Sequence, residues 1–177
     1  MEKKFKLGFM VGRMQPMHKG HQQLIDLGIQ LCDKFIILLG SANNFNSVKN
    51  PFTFGERKEF ITKVYGDKVE VYPIVDIGIG YVPEWGNYLI NTIKYYTNST
   101  PDFTICGTEE GRSSYLDNFD ITKLIVSRTL IPISATDVRS IIHQSSSVDD
   151  CKQRLKNLVD DLIIPDVIKT YKNKMLN

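Results

Sequence analysis

Gly12-Arg13-Met14-Gln15-Pro16-Met17-His18-Lys19-Gly20-His21 follows an apolar run, Leu7 to Val11, and precedes Gln22 to Cys32, where Leu24, Leu27, Gly28 and Leu31 recur at helical spacing. The first run reads as a buried strand and the second segment as a helix, so the stretch between them is a sharp strand-to-helix turn. Such a turn sets backbone N–H groups and the positive end of a helix dipole at the edge of a sheet, a place suited to phosphate. Gly12 ends the strand without a side chain in the way, Pro16 stiffens the loop, and Gly20 admits a ligand or backbone close to the first helical turn. His18 and His21 are three residues apart, so with Lys19 opening the helix both imidazoles lean toward one point above it. Arg13 and Lys19 add two cations, and all four groups can donate to anionic oxygens.

Outward from this turn the chain alternates. Phe35 to Gly40 is a continuous apolar run, as a strand covered on both faces shows, and the Asn-rich Ser41 to Lys49 reads as a loop. Thr53 with Glu56 forms a capping box for a helix to about Tyr65, with Phe54, Phe60, Ile61 and Val64 as core candidates. A third strand is expected over Val69 to Val75. The Gly-rich Asp76 to Tyr81 follows, and Pro83-Glu84-Trp85 opens a helix to about Tyr96. Phe103 to Cys106 and Leu124 to Val126 are the fourth and fifth strands, separated by a polar loop from Gly107 to Phe119, and Ser134 starts a further helix.

This alternation predicts an α/β fold: a Rossmann-like, doubly wound parallel sheet of about five strands with helices on both faces. Ligands of such sheets sit beyond the carboxyl ends of the strands, near the point where strand order reverses. The expected organisation is one domain over 1–177, with a core of about 5–145. A helical tail of about 147–177 packs outside the sheet, its first helix capped by Ser147 with Asp150 and its second opened by Pro165.

Composition narrows the class. Of 177 residues, 42% are apolar and 24% charged, as in ordinary globular proteins, and a net charge of +2 gives no reason to expect a nucleic-acid partner. Cys32, Cys106 and Cys151 are far apart and odd in number, which argues against a disulfide framework or structural zinc. No apolar run reaches the roughly 18 residues of a membrane span, and the first residues lack a signal-peptide pattern. The expectation is a cytoplasmic protein with no membrane partner.

The second stretch with chemistry is Ile133-Ser134-Ala135-Thr136-Asp137-Val138-Arg139. Ser134 as N-cap with Asp137 at the third helical position leaves Thr136 and free N–H groups facing whatever lies before the helix, with Arg139 one turn further in. Two helix starts facing each other across a sheet can hold a triphosphate. Arg57, Asp76 and Trp85 follow strand ends; by residue type alone each is also a surface helix cation, a turn cap or a core ring.

The first stretch resembles the HxGH signature of the nucleotidyltransferase superfamily in its GRFQPFHxGH form, with Met14 and Met17 at the two aromatic positions. Ser134 to Arg139 resembles that superfamily's ISxTxxR motif, which holds the β- and γ-phosphates of ATP. Gly40-Ser41-Ala42 with Asn50-Pro51-Phe52-Thr53-Phe54-Gly55-Glu56-Arg57 is similar to the GSA…NPFTxxER pattern of archaeal-type nicotinamide mononucleotide (NMN) adenylyltransferases. Ser113-Ser114-Tyr115-Leu116 resembles a sequence in family members fused to a Nudix domain, although no Nudix box is present and the chain is short for a second domain.

The resemblance implies transfer of the adenylyl group of ATP to the 5′-phosphate of NMN or nicotinic acid mononucleotide. It assigns catalysis to His18, His21 and Arg139 and ATP binding to Gly12, Arg13, Lys19, Gly20, Gly107, Ser134, Thr136 and Arg139. Mononucleotide binding falls to Arg57, Asp76 and Trp85, with the indole stacked on the pyridine ring. No protein metal ligands are implied; Mg²⁺ arrives with ATP. The partners are then ATP and a mononucleotide, and a homo-oligomer is compatible with the sequence. Two alternatives stay open here: transfer to another phosphate acceptor such as pantetheine phosphate or FMN, and a nucleotide sensor without turnover.

Overall fold

The computed structural model describes residues 3–80, 82–107, 113–127 and 132–176. Five strands form one sheet: β1 (Phe5–Gly12), β2 (Cys32–Leu39), β3 (Glu70–Pro73), β4 (Phe103–Gly107) and β5 (Thr122–Val126), in the order β3-β2-β1-β4-β5. Every pairing is parallel. The order reverses between β1 and β4, and the strand-to-helix turn at Gly12–His21 leaves β1 at that point. Six α-helices, α1 (Lys19–Leu31), α2 (Phe54–Tyr65), α3 (Pro83–Thr97), α4 (Ala135–Gln144), α5 (Val148–Leu155) and α6 (Ile164–Met175), and two short 3-10 turns, Gly66–Lys68 and Ser113–Leu116, complete the described chain.

Period-two alternation along the central strands builds two cores. Leu7, Phe9, Ile36 and Leu38 face α3 through Leu89, Ile90 and Ile93. Met10, Phe35, Ile37 and Leu39 face the other way, against α1, α2 and the C-terminal helices. Gly86 of α3 lies so close to Tyr115 that a Cβ there would stand 1.9 Å from the Tyr115 carbonyl oxygen, so only glycine fits.

Several local expectations change. Cys32 belongs to β2, because α1 passes into the strand with no connecting loop, and α1 buries Ile25 and Gly28 while Leu24, Leu27 and Leu31 are only partly covered. The third strand is shorter than the run from Val69 to Val75, ending at Pro73. The tail helices pack outside the sheet as expected, and Cys151, Leu155, Val159, Ile163, Ile164, Val167, Ile168 and Tyr171 are buried in the core on that face. Their caps stand as read, with Ser147 Oγ accepting from the Asp150 N–H at 3.1 Å and Pro165 in the first turn of α6. Among the described residues no helix is long and apolar enough to cross a membrane. The stretch Gly107 to Phe119 lies partly outside the described residues, as does the side chain of Ser113.

Candidate active site

A cleft of about 240 Å³ opens at the carboxyl ends of β1, β4 and β5, at the strand-order reversal. It is lined by Gly12, Arg13, His18, Gly20, His21, Gly107, Ser134, Thr136 and Arg139, nine of the residues expected from sequence. Gly12 and Arg13 come from the end of β1 and Gly107 from the end of β4, while the other six come from the starts of α1 and α4, which face each other across the switch point.

His18 is the N-cap of α1, and its own N–H donates to His21 Nδ1 at 3.3 Å. The two imidazoles stack with centroids 3.8 Å apart at a tilt of 33°. Gly20 makes room for this: a Cβ there would sit 3.1 Å from the His18 ring. At the other helix, Ser134 Oγ accepts from the Asp137 N–H at 3.2 Å while the Ser134 N–H donates to Asp137 Oδ2 at 3.0 Å, the reciprocal cap read from sequence. Arg139 donates to the Thr136 hydroxyl at 3.1 Å and, at 2.6 Å, to the carbonyl oxygen of Gln15. That last bond joins the two motifs directly.

Gln15, within the first motif, adds a role that its spacing does not mark. Its side chain is 2% exposed and pairs twice with the Phe52 backbone, accepting from the N–H at 2.9 Å and donating to the carbonyl at 2.8 Å. The loop from β1 to α1 is thereby fastened both to α4 and to the segment before α2. The chain makes this tight path with a cis bond before Pro16 and a left-handed Met14, φ 46°.

Four expected site residues lie outside the cleft lining. Lys19 points its ammonium at the Lys156 carbonyl, 3.0 Å away, and its N–H at the Leu158 carbonyl, 2.8 Å away, so the tail holds it. Arg57 is buried, and its guanidinium donates to the carbonyls of Arg13, Gly40, Ser41 and Thr53. The expectation from sequence is a substrate contact; in the structure α2 turns Arg57 inward, where backbone carbonyls accept from its guanidinium. Asp76 is exposed and exchanges two hydrogen bonds with Asn43, at 2.9 and 3.3 Å. Trp85 is half-buried at the start of α3, packed on the second core with Tyr88 at a centroid distance of 5.6 Å.

The cleft is electropositive. Arg13, Lys49 and Arg139 line it with the two histidines, and no Asp or Glu is among its described lining residues. Burial lowers the pKa of Arg139, against the opposing influence of Tyr171 and with that of nearby Arg13. Burial pushes Arg57 down to about 10, opposed by the Asp76 carboxylate, so it stays charged at neutral pH. Lys49 reaches the cleft from the Asn-rich loop, where no periodicity marks a ligand; its position just before Asn50-Pro51 was the one available signal. Among the described residues no group of three His, Cys, Asp or Glu is placed to hold a metal ion.

A cytidylyltransferase-like family model matches residues 9–147. The chain is 31% identical over 139 residues to the nicotinamide-nucleotide adenylyltransferase of Pyrococcus abyssi, covering 75% of this chain and 70% of that protein. It is 29% identical over 143 residues to the Pyrococcus furiosus protein of the same description, covering 76% and 71%. In structure it resembles a bifunctional NMN adenylyltransferase/ADP ribose pyrophosphatase from Francisella tularensis, with a TM-score of 0.72 and 22% identity. That match covers 97% of this chain and 53% of the other, so the chain spans about half the length of the bifunctional protein. A structure of the same Francisella protein, complexed with AMP and a manganese ion, matches with a TM-score of 0.69 over 97% of this chain and 52% of that one, at 22% identity.

Proposed function

The chain belongs to the cytidylyltransferase-like family, and from that premise we propose that it transfers the adenylyl group of ATP to the 5′-phosphate of NMN or nicotinic acid mononucleotide, releasing pyrophosphate and forming the dinucleotide. The observation that carries this reading is the meeting of two helix starts, rich in phosphate donors, at the strand-order reversal, tied together by the Arg139–Gln15 bond. The archaeal relatives' names support the choice of acceptor.

The chemistry asks little of the protein beyond placement. An oxygen of the mononucleotide phosphate, ionised at neutral pH, attacks the α-phosphorus; the bond from that phosphorus to the bridging oxygen breaks, and pyrophosphate takes the electron pair. No general base and no protein nucleophile is needed. Catalysis then rests on alignment and on donors that meet the charge building on the departing phosphates. His18 and His21 serve the α- and β-phosphates, while Arg13, Arg139, Thr136 and the α4 start serve the β- and γ-phosphates. Gly12, Gly20 and Gly107 leave space for them, and Ser134 sets the α4 end. Lys19 belongs to the support of α1 in this structure.

Asp76 and Trp85 stand on the acceptor side, with the indole available to a planar ring. A divalent ion would fit this lining as the counter-ion of ATP, since the described residues offer cations, amides, hydroxyls, two imidazoles and a thiol, no carboxylate, and no group of three His, Cys, Asp or Glu placed to hold it. Bound in that way, it would neutralise phosphate charge.

The test is incubation with ATP, Mg²⁺ and separate acceptors, with pyrophosphate and product identified. Dinucleotide from either nicotinamide-type acceptor is expected. Turnover only with pantetheine phosphate or FMN would move the acceptor assignment, and tight ATP binding with no turnover on any acceptor would make the protein a sensor.

A further inference from the structure

Arg57 is 1% exposed, and among the described residues no carboxylate forms an ion pair with it. A buried charge without a counter-ion is costly unless its donors are met. Here they are met by carbonyls from three separate places: Arg13 at 2.6 Å just beyond β1, Gly40 at 2.8 Å and Ser41 at 3.4 Å just beyond β2, and Thr53 at 3.2 Å, the cap of α2. In a planar trans peptide the C=O and the following N–H point in opposite directions. A carbonyl drawn in to Arg57 therefore turns the next N–H outward.

For Arg13 and Gly40 those next residues are Met14 and Ser41. Both adopt left-handed backbone, with φ of 46° and 51°, a conformation that non-glycine residues hold only when their surroundings impose it. Met14 lines the cleft. Ser41 precedes Ala42, whose N–H bonds to Ile74 at the root of the segment that carries Asp76. The Met14 N–H thus belongs to the cleft lining, and the Ser41 N–H stands beside the segment that leads to Asp76, with one buried cation behind both.

We propose that Arg57 is a positioning residue for phosphate binding: it holds the Met14 N–H toward the phosphates of ATP and the Ser41 N–H toward the phosphate of the acceptor. The role rests on the adenylyl-transfer reading for the identity of the two phosphates. Successive outward N–H groups of this kind make concave anion sites in other folds, and the buried guanidinium adds positive charge behind them.

The test uses the full chain labelled with ¹⁵N and inorganic pyrophosphate as the probe. Saturable shifts of the Met14 and Ser41 amide signals are expected. Arg57→Lys, which keeps the charge but cannot reach all four carbonyls, is expected to bind pyrophosphate about tenfold more weakly and to lose roughly 10- to 100-fold in turnover, while circular dichroism shows a folded protein. If both amides stay unmoved while the Thr136 amide shifts, or if folded Arg57→Lys binds and turns over like wild type, Arg57 is only a brace of the fold. Should Arg57→Lys fail to fold, the wild-type amide titration decides. Wild-type protein that shows both amide shifts yet transfers adenylate to no acceptor would retain the Arg57 role in anion binding and lose the enzymatic reading.

Discussion

The cleft and the segment after β3 that is proposed to meet the acceptor are held in place by different means. At the phosphate end, Gln15, Phe52, Arg57 and Arg139 form a buried to part-buried lattice of hydrogen bonds that joins the β1–α1 loop, α2 and α4. At the proposed acceptor end, outside the cleft lining, Val75, Ile77, Ile79 and Val82 leave apolar side chains exposed, and Gly78 and Gly80 take φ of 76° and 70° with open space around them. The bonds tying this segment to its neighbour, those of Asn43 with Asp76, are solvent-exposed. A site for charged, invariant phosphates gains from donors fixed before binding, whereas a site that closes over a ring gains from a segment of low local stability.

The largest effect expected from breaking the phosphate end is chemical. On the proposed mechanism His21→Ala removes a donor to a phosphate that gains charge during transfer, and it should lower kcat by roughly 10²- to 10³-fold. The lost cap on the His18 N–H should cost only about 1 kcal/mol, a melting shift of about 2–4 °C for a chain of this size. Near-normal turnover with a large melting shift would reassign His21 to the fold.

Gln15→Leu tests the lattice itself. It leaves the Phe52 N–H and carbonyl buried without their partner, at about 1–3 kcal/mol for each group, so thermal denaturation should begin on the order of 10 °C lower. A change of a degree or two would mean that the loop is held without this clasp.

Trp85→Ala addresses the acceptor end. Loss of a ring stacked on a pyridinium, worth roughly 0.5–2 kcal/mol, should raise the KM for the mononucleotide about tenfold and leave that for ATP near wild type. Trp85 is the single tryptophan of the chain, so NMN should quench its emission saturably in the wild-type protein. Unchanged emission, with a KM unaffected by the substitution, would assign the ring to the core beside Tyr88.

Asn43→Ala should cost only about 0.5–1 kcal/mol, because its bonds are exposed. A melting shift as large as that of Gln15→Leu would erase the contrast between the two ends.

The smallest effect concerns Glu56. Burial alone would raise its pKa, but hydrogen bonds from Lys174 and from the Thr53 N–H outweigh burial and leave it below the ordinary value. As pH falls the unfolded chain takes up the proton first, so this contribution is present above the ordinary carboxylate range and is lost as pH drops through the lowered folded value. The stability difference between wild type and Glu56→Gln should therefore shrink in acid denaturation series. A difference constant from neutral to strongly acid pH would remove the Lys174 pairing from the account.

Most of the cleft was legible because its residues lie in two short motifs, and a strand-to-helix turn or a capped helix start is specified by neighbours within four residues. His18, Gly20 and His21 are placed by one such turn, and Ser134, Thr136 and Arg139 by one cap. Lys49 was not legible, since it stands in a loop with no period. Asp76 and Trp85 could be assigned to a strand end and a helix start, but whether they face a ligand or a core depends on what packs beside them.

The sequence by itself determined the alternation of strand and helix, the caps at Thr53, Ser134 and Ser147, and the presence of phosphate-suited turns, because period and capping are local properties of the chain. The tertiary structure decided the rest. It turned Arg57 inward onto the carbonyl of a residue 44 positions away, joined Arg139 to Gln15 across 124 positions, bound Lys19 to the tail and drew that tail into the core. Bonds over such separations follow from which faces the sheet buries together, and no spacing within a single segment encodes them.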